Sequence, residues 1–126
     1  MKTLYYNYIE YVIGQAADAA FAKDLYEGYR IRFIDIKEIL VMIMLQNKDL
    51  DVFFERLRES LKITLNNLEK VELFQFYFIE DLAPSDENEG LQDVFFLMWD
   101  IFFPDENWQD ENYKNISFEI DRTISL

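Results

Sequence analysis

The chain has 126 residues, with 25 Asp or Glu against 12 Lys or Arg and a formal net charge of −13. Disorder is excluded despite that acidity, because 51% of the residues are apolar and 17% aromatic, enough to build a core. With no Cys and no His there are no disulfides, no thiolate or imidazole metal ligands, and no Ser–His or Cys–His nucleophile pair.

The length suits one domain, spanning residues 1–126. Only 3 Gly and 2 Pro supply tight turns, which favours a few long helices over a many-stranded sandwich. Apolar residues recur in pairs from Leu4/Tyr5 through Tyr8/Ile9, Val12/Ile13, Ala16/Ala17 and Ala20/Phe21 to Leu25. That spacing predicts one amphipathic helix, ending near Glu27 with Gly28 as its cap. Tyr6, Tyr11 and Tyr26 fall off its inner stripe. Residues 29–34 alternate and read as a short extended segment. Asp35 followed by Glu38 resembles a capping box for a second helix. Residues 39–45 are apolar on every side, so this helix is expected to be central. The run is seven residues long, against about 20 needed to span a bilayer.

Asp49 or Asp51 would cap a third helix, with Phe53, Phe54, Leu57 and Leu61 inward and Glu55, Arg56, Arg58 and Glu59 toward water. The stretch 64–67 is its weakest point, and the sequence leaves open whether a fourth helix through 73–79 continues it. Residues 83–90 form a loop, and 91–103 a short aromatic helix stopped by Pro104. Residues 105–115 are polar and irregular, and 116–120 alternate like a strand that can pair with 29–34. The expected fold is therefore mainly α: a single-domain bundle of about five helices with one short two-stranded element. Asn7 and Glu10 interrupt the apolar stretch that a secretory signal requires, so a soluble, cytoplasmic protein is expected.

The charge is lopsided. Residues 1–79 hold 12 acidic and 10 basic side chains, net −2, whereas residues 80–126 hold 13 and 2, net −11. Such self-repulsion destabilises a compact domain, and a basic partner would relieve it and associate faster for it. The same field repels phosphate backbones, so direct nucleic-acid binding is not expected. The candidate contacts are Asp86, Glu87 and Glu89 in one cluster, and Asp105, Glu106, Asp110 and Glu111 in another. Trp108 and Tyr113 lie among the second group, and aromatic rings amid carboxylates suit the grip of Arg and Lys.

No catalytic, metal-binding or cofactor-binding residue is expected. Three scattered glycines build neither a P-loop nor a dinucleotide fingerprint. Asp86-x-Asn88-x-Gly90 and Asp105-x-Asn107-x-Gln109 both lack the spacing of an EF-hand.

In small size, acidity and missing chemistry, the chain resembles bacterial toxin-immunity proteins of the contact-dependent growth inhibition type. The resemblance covers overall character and no diagnostic motif. It implies a one-to-one complex with a cognate basic toxin domain, a nuclease. Two alternatives share the composition: a phage-type inhibitor mimicking nucleic-acid charge (anti-CRISPR or anti-restriction), and a helical module that self-associates.

Overall fold

The structure is a computed structural model describing residues 1–123. The chain opens with a strand, β1 (Lys2–Tyr5), that passes directly into helix α1 (Tyr6–Ala22). A hairpin of β2 (Tyr26–Glu27) and β3 (Arg30–Ile31) leads to α2 (Phe33–Asn47) and then α3 (Asp51–Asn66). Two 3₁₀ turns, Leu73–Gln75 and Ile79–Leu82, precede α4 (Leu91–Phe102), a third 3₁₀ turn at Glu111–Tyr113 and β4 (Phe118–Asp121). The fold is mainly helical, as expected, with four α-helices among the described residues where about five were expected.

The first helix stops earlier than its apolar spacing suggests. Asp24 adopts a left-handed backbone (φ 55°), the Leu25 N–H donates to the Ala20 carbonyl, and the Asp24 N–H donates to Phe21. This Schellman arrangement satisfies the free carbonyls at the helix end. Asp tolerates the left-handed region because its short side chain bonds locally. Gly28 (φ 69°) instead opens the two-residue loop of the hairpin, where a left-handed first residue fits strand twist.

The expected pairing of 29–34 with 116–120 does not form. β4 lies parallel to β1, with Leu4 opposite Ile120, while β3 pairs antiparallel with β2. β3 is occupied on its other side too: the Ile31 N–H donates to the Ala83 carbonyl, and the Ser85 N–H to the Ile31 carbonyl. The hairpin is thereby stitched to the 83–85 loop.

Capping of α2 also departs from the expectation. Asp35 lies in the first turn, only 7% exposed, and accepts two hydrogen bonds from the Arg32 guanidinium at 2.9 and 3.2 Å. The cap comes from 53 residues downstream, where the Asp86 carboxylate accepts the Phe33 N–H at 2.6 Å. A carboxylate there also meets the positive end of the helix dipole.

Helix α1 packs on α2 and α3, α2 packs on α4, and α3 packs on α4 and β1. The core they enclose includes Tyr8, Ile13, Ile39, Leu40, Ile43, Phe53, Leu57, Phe95 and Trp99. The off-stripe tyrosines of α1 are half-buried seals: Tyr6 stacks on Phe76 at 4.5 Å, and Tyr11 meets the Phe53 ring edge-on at 5.6 Å. Residues 68–82 form no α-helix. Val71, Phe76, Ile79 and Leu82 are buried from a chain that turns repeatedly, strapping the core without offering a helical stripe. Among the described residues, no helix is long and apolar enough to cross a membrane.

The apolar run 39–45 is not enclosed all round. Ile39, Leu40 and Ile43 are buried between α1 and α4, but Leu45 is 53% exposed, because no element among the described residues covers that side of α2. Ile43→Asp should therefore abolish cooperative thermal unfolding, since burying an unpaired charge costs several kcal/mol. Leu45→Asp should change stability by no more than about 0.5 kcal/mol. Circular-dichroism melting of the two variants checks this, and equal effects would show that α2 is oriented differently.

Candidate partner-binding surface

The acidic segment after α4 is not free. Along α3, Arg58, Lys62 and Asn66 recur every four residues and so share one stripe. The Arg58 Nε–H bonds both carboxylate oxygens of Glu106 (2.8 and 3.0 Å), and its Nη2 lies 2.7 Å from Oε1. The Lys62 ammonium, itself nearly buried, sits 3.0 Å from the Asp110 carboxylate. Asn66 donates to the Trp108 carbonyl at 2.8 Å and accepts the Asp110 N–H at 3.3 Å. Asn67 donates to the Tyr113 carbonyl at 2.8 Å. The helix thus reads both the charges and the backbone of residues 106–113.

These contacts set the protonation behaviour of the segment. The Arg58 hydrogen bond, then its charge, holds the Glu106 carboxyl below the ordinary range. The Asn112 N–H, then Lys62, does the same for Asp110. Burial, followed by the hydrogen bond to Glu59 (2.7 Å), pushes the Tyr113 phenol up to about 12. Tyr113 therefore stays a neutral donor, with the Lys2 ammonium 4.1 Å from its ring centre.

The candidate contacts accordingly divide. Tyr113 is 7% exposed and belongs to the core, so it has no ring face to offer a partner. Trp108 is half-buried, packed edge-on against Phe96 at 5.2 Å. Glu106 and Asp110 are ion-paired to α3, and Glu111 pairs with Lys114 at 2.9 Å. Asp105 is exposed. Asp86 is engaged in capping α2, which leaves Glu87 and Glu89 of the first cluster without an ion pair among the described residues.

Glu87 and Glu89 line a groove of about 620 Å³ with Phe33, Ile34, Lys37 and Leu97. Glu89 also borders a second concavity, of about 340 Å³, formed by Tyr29, Arg30, Glu80, Pro84 and Leu91. Tyr29 in turn borders a third, of about 510 Å³, with Phe21, Tyr26, Asp24 and Asp81. The three concavities adjoin at Glu89 and Tyr29, a row of hollows, here called the furrow, from the end of α1, past the hairpin, to the 83–90 loop. Its carboxylates Asp24, Glu80, Asp81, Glu87 and Glu89 make no ion pair among the described residues. Its bases are Lys37 and Arg30, the latter donating to the Pro84 carbonyl at 3.1 Å. Among the described residues no three Asp or Glu side chains gather as a metal cage would.

Sequence reasoning missed the α3 stripe, reading Arg58 and Glu59 as solvated and 64–67 as a weak point. The four-residue spacing of Arg58, Lys62 and Asn66, matched by Glu106 and Asp110, was the available signal. It also missed Phe21, Asp24 and Tyr29, which carry no motif.

Because the Glu106 value is depressed in the folded state, its contribution is complete above the unfolded value near pH 4.3 and is lost as pH falls through the lower folded value. Acidification below about pH 4 should therefore loosen residues 103–115 before the core unfolds. The Trp99 indole N–H, bonded to the Glu106 carbonyl at 2.9 Å, is the reporter by NMR. Glu106→Gln should cost about 1 kcal/mol or less at pH 7, since the pair is partly exposed, and should flatten the acid response. An unchanged acid transition in that variant would place the responsible group elsewhere.

No family model matches this sequence, and no curated protein or solved structure matches it either.

Proposed function

We propose that the chain is a non-catalytic inhibitor of the immunity type, which binds a cognate basic toxin domain and neutralises it by occlusion. The observation that carries this reading is the furrow. After the acidic segment has paired with α3, carboxylates without an ion pair among the described residues still line these adjoining concavities, with exposed apolar side chains at the rim. Tyr29 is 94% exposed and Ile34 52% exposed. A compact patch that mixes charge with apolar anchors suits a folded protein partner, since interface cores take their affinity from such anchors and their rate from charge.

A nuclease is the class of toxin that fits the chemistry. Its substrate site is rich in Lys and Arg, and carboxylates held by a rigid scaffold compete for those side chains with the nucleic-acid backbone. Fixed charge is neither consumed nor released in that role. The absence of His and Cys from the whole chain is in keeping with inhibition without turnover.

The test begins with the gene beside this one, which should encode a toxin ending in a basic nuclease domain. Titrating the purified domain with the chain should give an inhibition endpoint near equimolar. The variant Glu80→Lys/Glu87→Lys/Glu89→Lys should associate about tenfold or more slowly at low salt and show a shallower salt dependence. Asp105→Lys, outside the furrow, is the control. Glu106 and Asp110 are unsuitable for reversal, because a lysine there would face Arg58 or Lys62 and disturb the fold as well as the surface charge. Progressive inactivation by a small fraction of an equivalent would mean catalysis and overturn the proposal. Equal rates for the triple variant and the parent would move the docking surface elsewhere.

A further inference from the structure

The 510 Å³ cleft at the hairpin end of the furrow differs from the rest in being walled by aromatic rings: Phe21, Tyr26 and Tyr29, together with Asp24, Gly28 and Asp81. We infer that this cleft is a recognition site for a single cationic side chain, an arginine or lysine, presented by a basic protein partner. The inference deepens the proposed function and rests on it.

Three features of the chain support that occupant. Phe21 is 80% and Tyr29 94% exposed, yet both border one concavity. Phe21 lies in the last turn of α1, and Tyr29 follows left-handed Gly28 in a two-residue loop, so helix and turn fix where each ring is attached. Both rings are left largely open to a ligand. Second, the cleft sits at the carbonyl end of α1, where the helix dipole places partial negative charge. Third, Asp24 and Asp81 on the wall form no ion pair among the described residues, and neither does nearby Asp18. Tyr26 reports the same field. Its hydroxyl donates to the Asp81 carbonyl at 2.8 Å, and its phenol is pushed up by burial, then by Asp81 and Asp18. The cations close by in sequence are Lys23 and Arg30, and Arg30 is bonded to the Pro84 carbonyl.

Other occupants fit less well. An anion would meet repulsion from both wall carboxylates, Asp24 and Asp81. A purely apolar group would strand the carboxylates, whose desolvation is unfavourable without a partner. A second copy of this chain, at net −13, would set carboxylates against carboxylates. A guanidinium or ammonium meets ring faces and carboxylates together, and cation–π contact alone contributes about two- to thirtyfold in affinity.

The probe is an acetylated, amidated hexa-arginine peptide titrated into the ¹⁵N-labelled chain at two salt concentrations, with a hexa-glutamine peptide as the uncharged control. The largest amide shifts should fall at Phe21, Asp24, Gly28, Tyr29 and Asp81. Phe21→Ala/Tyr29→Ala should weaken binding about fivefold or more and do so even at high salt, where charge is screened. Its melting temperature should match the parent, since both rings are exposed. Asp24→Asn/Asp81→Asn should weaken binding mainly at low salt. If the peptide binds the double alanine variant as tightly as the parent, or shifts only residues near Glu87 and Glu89, the cleft inference fails while the basic-partner reading stands. If the peptide does not bind the parent at all, both fall.

Discussion

The interaction on which the rest of the structure depends is the grip of α3 on the segment after α4. Arg58, Lys62, Asn66 and Asn67 hold residues 106–113 by two ion pairs and three side-chain-to-backbone hydrogen bonds. Without that grip the chain has no reason to return toward its own beginning. With it, β4 arrives beside β1, while the Ser60 hydroxyl of α3 accepts the Tyr5 N–H of β1 at 2.7 Å. A parallel two-stranded pair is weak alone, and here it borrows rigidity from the helix beneath it. Strand β1 and the segment leading into β4 are thus secured by the same helix. The nearly buried Lys62 makes this a demanding arrangement, because losing Asp110 would leave its ammonium without a counter-charge.

Aromatic packing supplies the complementary constraint. At the end of α4, Phe102 and Phe103 meet Phe54 of α3 and each other, and Phe103 meets Trp99, at ring separations of 4.9 to 6.3 Å. Phe53 joins Tyr8 and Tyr11 from α1, and Arg56 bonds the Tyr8 hydroxyl at 3.0 Å with its guanidinium 4.9 Å from the Tyr5 ring centre. Large rings suit a small domain, since each buries much area while fixing only two side-chain torsions. Trp99 links the two systems, as its body fills the core and its indole N–H reaches the Glu106 carbonyl.

What was legible in the sequence follows from how local each feature is. Apolar residues at helical spacing place most of α1 and the inner face of α3, and the 83–90 loop and α4 are marked by Pro84, Gly90 and Pro104. The run 39–45, in contrast, places α2 without telling its buried side from its exposed one. Failures occurred where distant residues decide. Asp86 caps α2 from the far side of α3, which no capping pattern around Asp35 can reveal. Each candidate strand segment contains a strand, β3 at Arg30–Ile31 and β4 at Phe118–Asp121, although Phe33 and Ile34 belong to α2. The partners differ from the expectation: β4 pairs with β1, whose Leu4 and Tyr5 were read as helix, and β3 with Tyr26–Glu27. For the candidate surface, composition located the excess charge without saying which carboxylates are already answered. Glu106 and Asp110 look like Glu87 and Glu89 in sequence, and only the position of α3 separates them.

That separation bears on how one acidic chain can be stable and, on the proposed function, still bind a basic partner. Self-repulsion from an uneven charge opposes compaction, and the fold reduces it where it would do most harm, by placing Arg58, Lys62 and Lys114 against Glu106, Asp110 and Glu111. Along the furrow it leaves the repulsion in place. Glu80, Asp81, Glu87 and Glu89 surround loops and turns whose backbone is already held by the Ile31–Ala83 and Ser85–Ile31 hydrogen bonds and by the Asp86 cap. The backbone there is pinned by these bonds, and the unrelieved charge persists as a field at the surface. Burying such carboxylates against cations releases the repulsion only in the bound state, so stability given up by the free protein returns as affinity. A surface of this kind discriminates by sign before it discriminates by shape, rejecting acidic neighbours at a distance and reserving close contact for a basic partner.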